Sequence, residues 1–223
     1  MKIQEYADRD MLAIDVANVL AGELEAALLH NDVVAFAVPG GTTPGPIFDS
    51  LCAADLEWER VRVLPTDERC VPADSDRSNE RLIRDRLLTN RAAAADYVPL
   101  YIPGKTPEEV LPQIEALIEP LRPLAVLVLG MGDDMHTASL FPGMEGLAQA
   151  LASNAPALAV ARPQTQPETR ITLTGPVLDG ALSKHLVIYG EKKRAALERA
   201  MSLPPEEAPI AAVLDGMTVH WAD

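Results

Sequence analysis

Asp134 and His136 lie two residues apart in the run Gly130-Met131-Gly132-Asp133-Asp134-Met135-His136-Thr137-Ala138-Ser139-Leu140-Phe141-Pro142-Gly143. A neutral imidazole accepts a proton from water, and a neighbouring carboxylate orients it, so the pair has the composition of a general base with its support. The run directly follows the apolar Leu124–Leu129, which reads as a buried strand. The pattern predicts a helix beginning at His136, whose positive end would disfavour the imidazolium and keep the ring neutral near physiological pH. A lone histidine more often caps or packs; one flanked by glycine and aspartate at a strand end is a better candidate base.

Three further polar segments follow apolar runs. Gly40-Gly41-Thr42-Thr43-Pro44 follows Val33–Val38 and offers close backbone approach and two hydroxyls, a combination that suits phosphate. Taken alone, it reads rather as a plain strand-to-helix turn. Thr66-Asp67-Glu68-Arg69 follows Val61–Pro65, and Gly190-Glu191-Lys192-Lys193 follows His185–Tyr189. Arg69 is either an anion contact or a partner of Asp67 or Glu68. Lys193 is either an anion contact or part of a solvated basic face with Lys192 and Arg194. Arg170, before Ile171–Thr174, has the same two readings, and Arg162 reads as a loop charge.

Several motifs are excluded. Pro46 and Ile47 stand where a Walker loop needs Lys and Ser/Thr, and Met135 occupies the third glycine of a dinucleotide fingerprint. No Gly-x-Ser-x-Gly elbow supports an acyl-serine hydrolase. The four histidines have no ligand spacing, so no metal site is expected.

The elements that must position these groups alternate. Residues 8–30 carry apolar positions at helical spacing, and helices are also predicted over Pro44–Ala54 with Thr43 as N-cap, over Asn79–Leu88 behind Ser78, over Thr106–Leu121 with a Thr106/Glu109 capping box, and over Glu191–Met201. Further strands are expected at Val98–Ile102, Leu158–Ala161, Ile171–Leu173 and Met217–Trp221, with a loop over 162–167. Such alternation predicts a mostly parallel sheet covered on both faces. In that case all four polar segments meet on one side, beyond the carboxyl ends of the strands.

The chain has 223 residues, 19 basic and 33 acidic, and a net charge of −14. One α/β domain over 1–223 is expected. The charge argues against affinity for nucleic acid or an anionic membrane. No apolar run approaches the roughly 20 residues of a membrane helix, the N-terminus lacks a signal-peptide core, and Cys52 and Cys70 make no disulfide framework. A cytoplasmic enzyme, monomeric or a small homo-oligomer, is the expectation.

Taken together, Gly40–Pro44, Asp67-Glu68-Arg69, Ser78-Asn79, Gly130–Gly143, Arg170–Thr174 and Gly190-x-x-Lys193 resemble the 6-phosphogluconolactonase family over nearly the whole chain. The resemblance implies a three-layer α/β/α sandwich with a mostly parallel sheet, of the type shared with sugar-phosphate isomerases and CoA-transferases. It implies hydrolysis of 6-phospho-D-glucono-1,5-lactone to 6-phospho-D-gluconate in the pentose phosphate pathway, with no cofactor and no metal. By carry-over, His136 is the general base and Asp134 its support, while Gly40, Gly41, Thr42, Thr43, Arg69, Arg170 and Lys193 hold the phosphate or stabilise negative charge. Met135 replaces the family's glycine in Asp-Gly-His-Thr-Ala-Ser. Glucosamine-6-phosphate deaminases resemble this family but continue after their histidine toward Asn-Glu-Pro; here Leu140-Phe141-Pro142 carries no carboxylate. A catalytically silent sugar-phosphate sensor is the rival from another class.

Overall fold

The computed structural model describes residues 1–164 and 166–223; Thr165, in the expected 162–167 loop, lies outside the described residues. Seven strands form one wholly parallel sheet. They are β1 (Lys2–Glu5), β2 (Val34–Val38), β3 (Val61–Pro65), β5 (Asp96–Tyr97), β6 (Val126–Leu129), β9 (Ser183–Tyr189) and β10 (Thr218–Ala222), in the order β1-β10-β9-β6-β2-β3-β5. A second, antiparallel sheet has the order β4-β8-β7, from β4 (Asp67–Arg69), β7 (Leu158–Ala161) and β8 (Arg170–Leu173).

Alternation along the central strands builds two apolar layers. Val34, Phe36, Val38, Val126 and Val128 enter one cluster with Leu12, Leu20, Phe48 and Ile83. These come from α1 (Arg9–Leu28), α2 (Gly45–Leu51) and α3 (Asn79–Arg86). Ala35, Ala37, Leu127 and Leu129 enter the other, with Val110, Ile114, Val177 and Leu197. Those come from α4 (Pro107–Ile118), α6 (Gly175–Asp179) and α7 (Gly190–Ala200), and a short α5 (Leu147–Leu151) adds Leu147 and Ala150. The result is helix on sheet on helix, the three-layer α/β/α sandwich expected above.

Several local expectations change. No helix starts at His136: Asp133–Leu140 is a chain of turns, so the dipole argument for its protonation does not apply. Thr43 does not cap α2; Pro44 occupies that position without a side-chain bond. Val98–Ile102 is irregular, and the neighbouring strand is Asp96–Tyr97. Asp67–Arg69 is itself a strand, paired with Arg170–Thr172. β1 was not predicted at all. Ser78 does cap α3, accepting from the Arg81 amide at 3.3 Å, and the Thr106/Glu109 box is present.

Candidate active site

From β2 the chain moves outward through β3 to β5, then returns to the other side of β2 for β6, β9 and β10. The reversal lies between β2 and β6, and such a switch point opens a crevice at the carboxyl ends of the strands. Here it is a cleft of about 480 Å³. Gly40, Gly41, Thr42 and Thr43 line it from the loop after β2, Arg69 from β4, His136 from the segment after β6, Arg170 from β8 and Lys193 from α7. Asp134 does not line it but stands behind His136.

The His136 segment is held by its own backbone. Gly132 N–H donates to the His136 carbonyl at 2.9 Å, Met135 N–H donates to the Gly132 carbonyl at 3.0 Å, and the Thr137 hydroxyl donates to the Gly130 carbonyl at 2.9 Å. Closing so tight a loop takes Met135 to φ 67° and Ala138 to φ 48°, the left-handed region that costs L residues about 1–2 kcal/mol each. The glycine that the family motif carries at 135 matches this geometry. Gly132 is required for a different reason: a Cβ there would lie 2.1 Å from His136 Nδ1 and 2.3 Å from Asp134 Oδ1.

His136 Nδ1 lies 2.5 Å from Asp134 Oδ1. Burial raises the Asp134 carboxyl, but the hydrogen bond and charge of His136 outweigh it and hold it below the usual carboxylate range. An ionised carboxylate only accepts, so Nδ1 carries the proton. That leaves Nε2 as the basic nitrogen, without a partner among the described residues. The ring stacks on Phe141 at 4.2 Å between centroids, and the Arg170 guanidinium lies 5.3 Å from the centroid of the same Phe141 ring.

Arg170 is buried. Its charge is met by Asp67 at 3.9 Å and Glu168 at 4.0 Å, and Ser139 Oγ donates to Asp67 at 2.5 Å. Burial pulls the guanidinium below its ordinary value, though a guanidinium does not deprotonate in proteins. Arg69 pairs with neither Asp67 nor Glu68. It donates to the Arg77 carbonyl at 2.7 Å, while buried Glu68 accepts from the amides of Arg69, Asn79 and Glu80 and from the Ser78 hydroxyl. The Nε atoms of Arg69 and Arg170 are buried with no partner among the described residues. Gly190, at φ 80°, turns β9 directly into α7. Lys193 then reaches back to the Met131 carbonyl at 2.6 Å and to Asp133 at 3.0 Å, so it is not a member of a solvated face. Arg162 is a loop charge paired with Glu108.

Arg9, Asn79 and Tyr189, none of them among the expected site residues, also line the cleft, and the Asp67–Ser139 pair supports Arg170 from beneath. Asn79 is the most legible of these: its side chain donates to the Asp67 carbonyl at 2.7 Å and fills the space where a Gly40 Cβ would fall, at 1.9 Å from Asn79 Oδ1. Nothing in the local sequence marks Arg9, which is brought to the cleft only by the packing of α1.

A doubly covered parallel sheet with a cation-lined cleft and a histidine–carboxylate pair at its switch point defines an α/β fold with an anion-receiving cleft. The family model for glucosamine-6-phosphate isomerases and 6-phosphogluconolactonases matches residues 7–221. Among curated proteins, the 6-phosphogluconolactonase of Mesorhizobium japonicum is 40% identical, over 97% of this chain and 93% of its own. That of Caulobacter vibrioides is 36% identical, over 100% and 98%. A crystal structure of a 6-phosphogluconolactonase from Shewanella baltica superposes with a TM-score of 0.96 at 32% identity, covering 100% of this chain and 98% of that one. The chain belongs to this family, and within it to the 6-phosphogluconolactonases.

Proposed function

We propose that the chain, working as one domain over residues 1–223, hydrolyses 6-phospho-D-glucono-1,5-lactone to 6-phospho-D-gluconate by general-base activation of water. The observation that carries the reading is the His136–Asp134 pair, with Nδ1 committed to the carboxylate at 2.5 Å and Nε2 left to act in a cleft lined by cations.

In this reading Nε2 takes a proton from water as the oxygen attacks C1. The tetrahedral oxyanion collapses, the C1–ring oxygen bond breaks, and the His136 proton passes to the leaving ring oxygen, which becomes the C5 hydroxyl. Asp134 stabilises the transient imidazolium and fixes the tautomer. A lactone is an activated ester, so general-base help of about 10²–10⁴-fold suits it without a covalent intermediate. The two hydroxyls that follow His136 are buried and committed elsewhere: Thr137 donates to the Gly130 carbonyl and Ser139 to Asp67.

Arg69, Arg170, Lys193 and the Gly40–Thr43 loop take the phosphate and the developing oxyanion. Two buried guanidinium Nε atoms without partners support an anionic ligand, since leaving such donors unpaired costs about 1–3 kcal/mol. Local cations also reconcile a dianionic substrate with a chain of net charge −14. A pH-stat assay tests the reading: the protein should speed acid release from the phosphorylated lactone, and acid release at the buffer rate would refute it.

A further inference from the structure

α1 begins at Arg9, behind the Asp8 cap, which accepts from the Met11 amide at 2.7 Å. β1 runs parallel to β10, and the Tyr6 amide donates to the Trp221 carbonyl at 2.9 Å. These contacts bring the first turn of α1 to the same side of the sheet as the carboxyl ends of the strands. There the Arg9 guanidinium lies 4.9 Å from the centroid of the Tyr189 ring, and its Nε donates to the main-chain oxygen of Asp223 at 2.8 Å. Both residues line the cleft, together with the Gly40–Pro44 loop that leads into α2.

The other cleft cations have protein partners: Arg170 has Asp67 and Glu168, Lys193 has Asp133 and a carbonyl, and Arg69 has the Arg77 carbonyl. Arg9 is different. Its stem is fixed by stacking and by Nε, while both terminal nitrogens have no hydrogen-bond partner among the described residues. A guanidinium held in this way keeps the planar fork that matches a phosphate and loses little freedom on binding one.

We propose that Arg9 is a further phosphate-binding residue of this cleft, with Tyr189 as the residue that positions it. The inference rests on the proposed sugar-phosphate reading, and its test reads binding rather than turnover, so failure of the hydrolase assignment would be seen separately. The probes are 6-phospho-D-gluconate, titrated calorimetrically, and inorganic phosphate, measured by its displacement of that sugar phosphate.

Removing one charge-assisted contact is expected to weaken both probes about tenfold in Arg9→Gln, with Arg9→Lys between it and the unaltered protein. Tyr189→Leu should weaken both probes in the Arg9 background and add little in Arg9→Gln, the signature of a residue acting through another. Unchanged affinity in Arg9→Gln overturns the proposal, as does weakened sugar-phosphate binding with unchanged displacement by inorganic phosphate. Additive losses in the double variant overturn the positioning role of Tyr189.

Discussion

The Asp134 carboxylate lies 2.5 Å from Nδ1 of His136, and the glycine at 132 leaves the space in which they meet. Two substitutions probe the relationship. Asp134→Asn removes the acceptor that fixes the tautomer, and kcat should fall by about 10²–10⁴-fold with the fold intact by circular dichroism. Gly132→Ala forces His136 aside without touching its chemistry. Displacement of about 1 Å can cost about 10²-fold, so steady-state kinetics should show a loss of at least that order; an active Gly132→Ala enzyme would mean that the loop geometry is not critical.

Met135 holds φ 67° where the family motif has glycine. Comparing Met135→Gly with Met135→Ala removes the side chain in both and isolates the backbone. Glycine should be the more stable of the two by about 1 kcal/mol, the left-handed penalty less glycine's larger unfolded-state entropy. Denaturant midpoints read the difference, and a more stable alanine variant would show that the loop relaxes out of the left-handed region.

Asp67 is buried against Arg170 and accepts from Ser139. Asp67→Ala leaves a buried guanidinium short of its counter-charge and should cost about 3 kcal/mol of stability, measured by urea unfolding. A loss confined to activity would mean that solvent reaches Arg170 freely.

Between α1 and the strands β9 and β10, outside the cleft lining, Tyr6, His220, His185 and Glu23 form a chain of hydrogen bonds at 2.8, 3.0 and 2.6 Å, with Ser183 on the same Glu23 oxygen. Burial, then the charge of His185, pulls His220 from 6.5 down to about 4. The unfolded chain therefore binds a proton that the folded chain refuses. This contribution is intact above about pH 6.5 and is lost as pH falls toward about 4, a total of about 3 kcal/mol. Glu23 acts with the same sign at lower pH: although burial raises it, its bonds to His185 and Ser183 hold it below its ordinary value. Unfolding free energies measured across this range should slope downward toward acid, and His220→Asn should flatten the slope between about pH 6.5 and 4. A variant with the same slope would show that the network does not titrate.

Much of the cleft was legible because glycines, hydroxyls and cations cluster where apolar runs stop, and a parallel sheet gathers those points on one side. His136 and Asp134 were legible together for the same reason. What was not legible depends on tertiary contact. The helix expected at His136 gives way to turns anchored by Gly130, Gly132 and Met135. Asp67–Arg69 reads as a polar loop by composition, yet it pairs as a strand with Arg170–Thr172. Arg9 is an ordinary helix-start residue until the pairing of β1 with β10 brings it beside Tyr189. The buried role of Ser139 depends on Asp67, 72 residues away.

If His136 activates water against the lactone, its removal should abolish turnover and spare binding. The most direct test follows loss of 6-phospho-D-glucono-1,5-lactone with the unaltered protein, with His136→Ala, and with buffer alone. Loss should be fast with the unaltered protein and near the buffer rate with His136→Ala, while the variant still binds 6-phospho-D-gluconate. Equal rates for the two proteins would contradict the general-base role of His136.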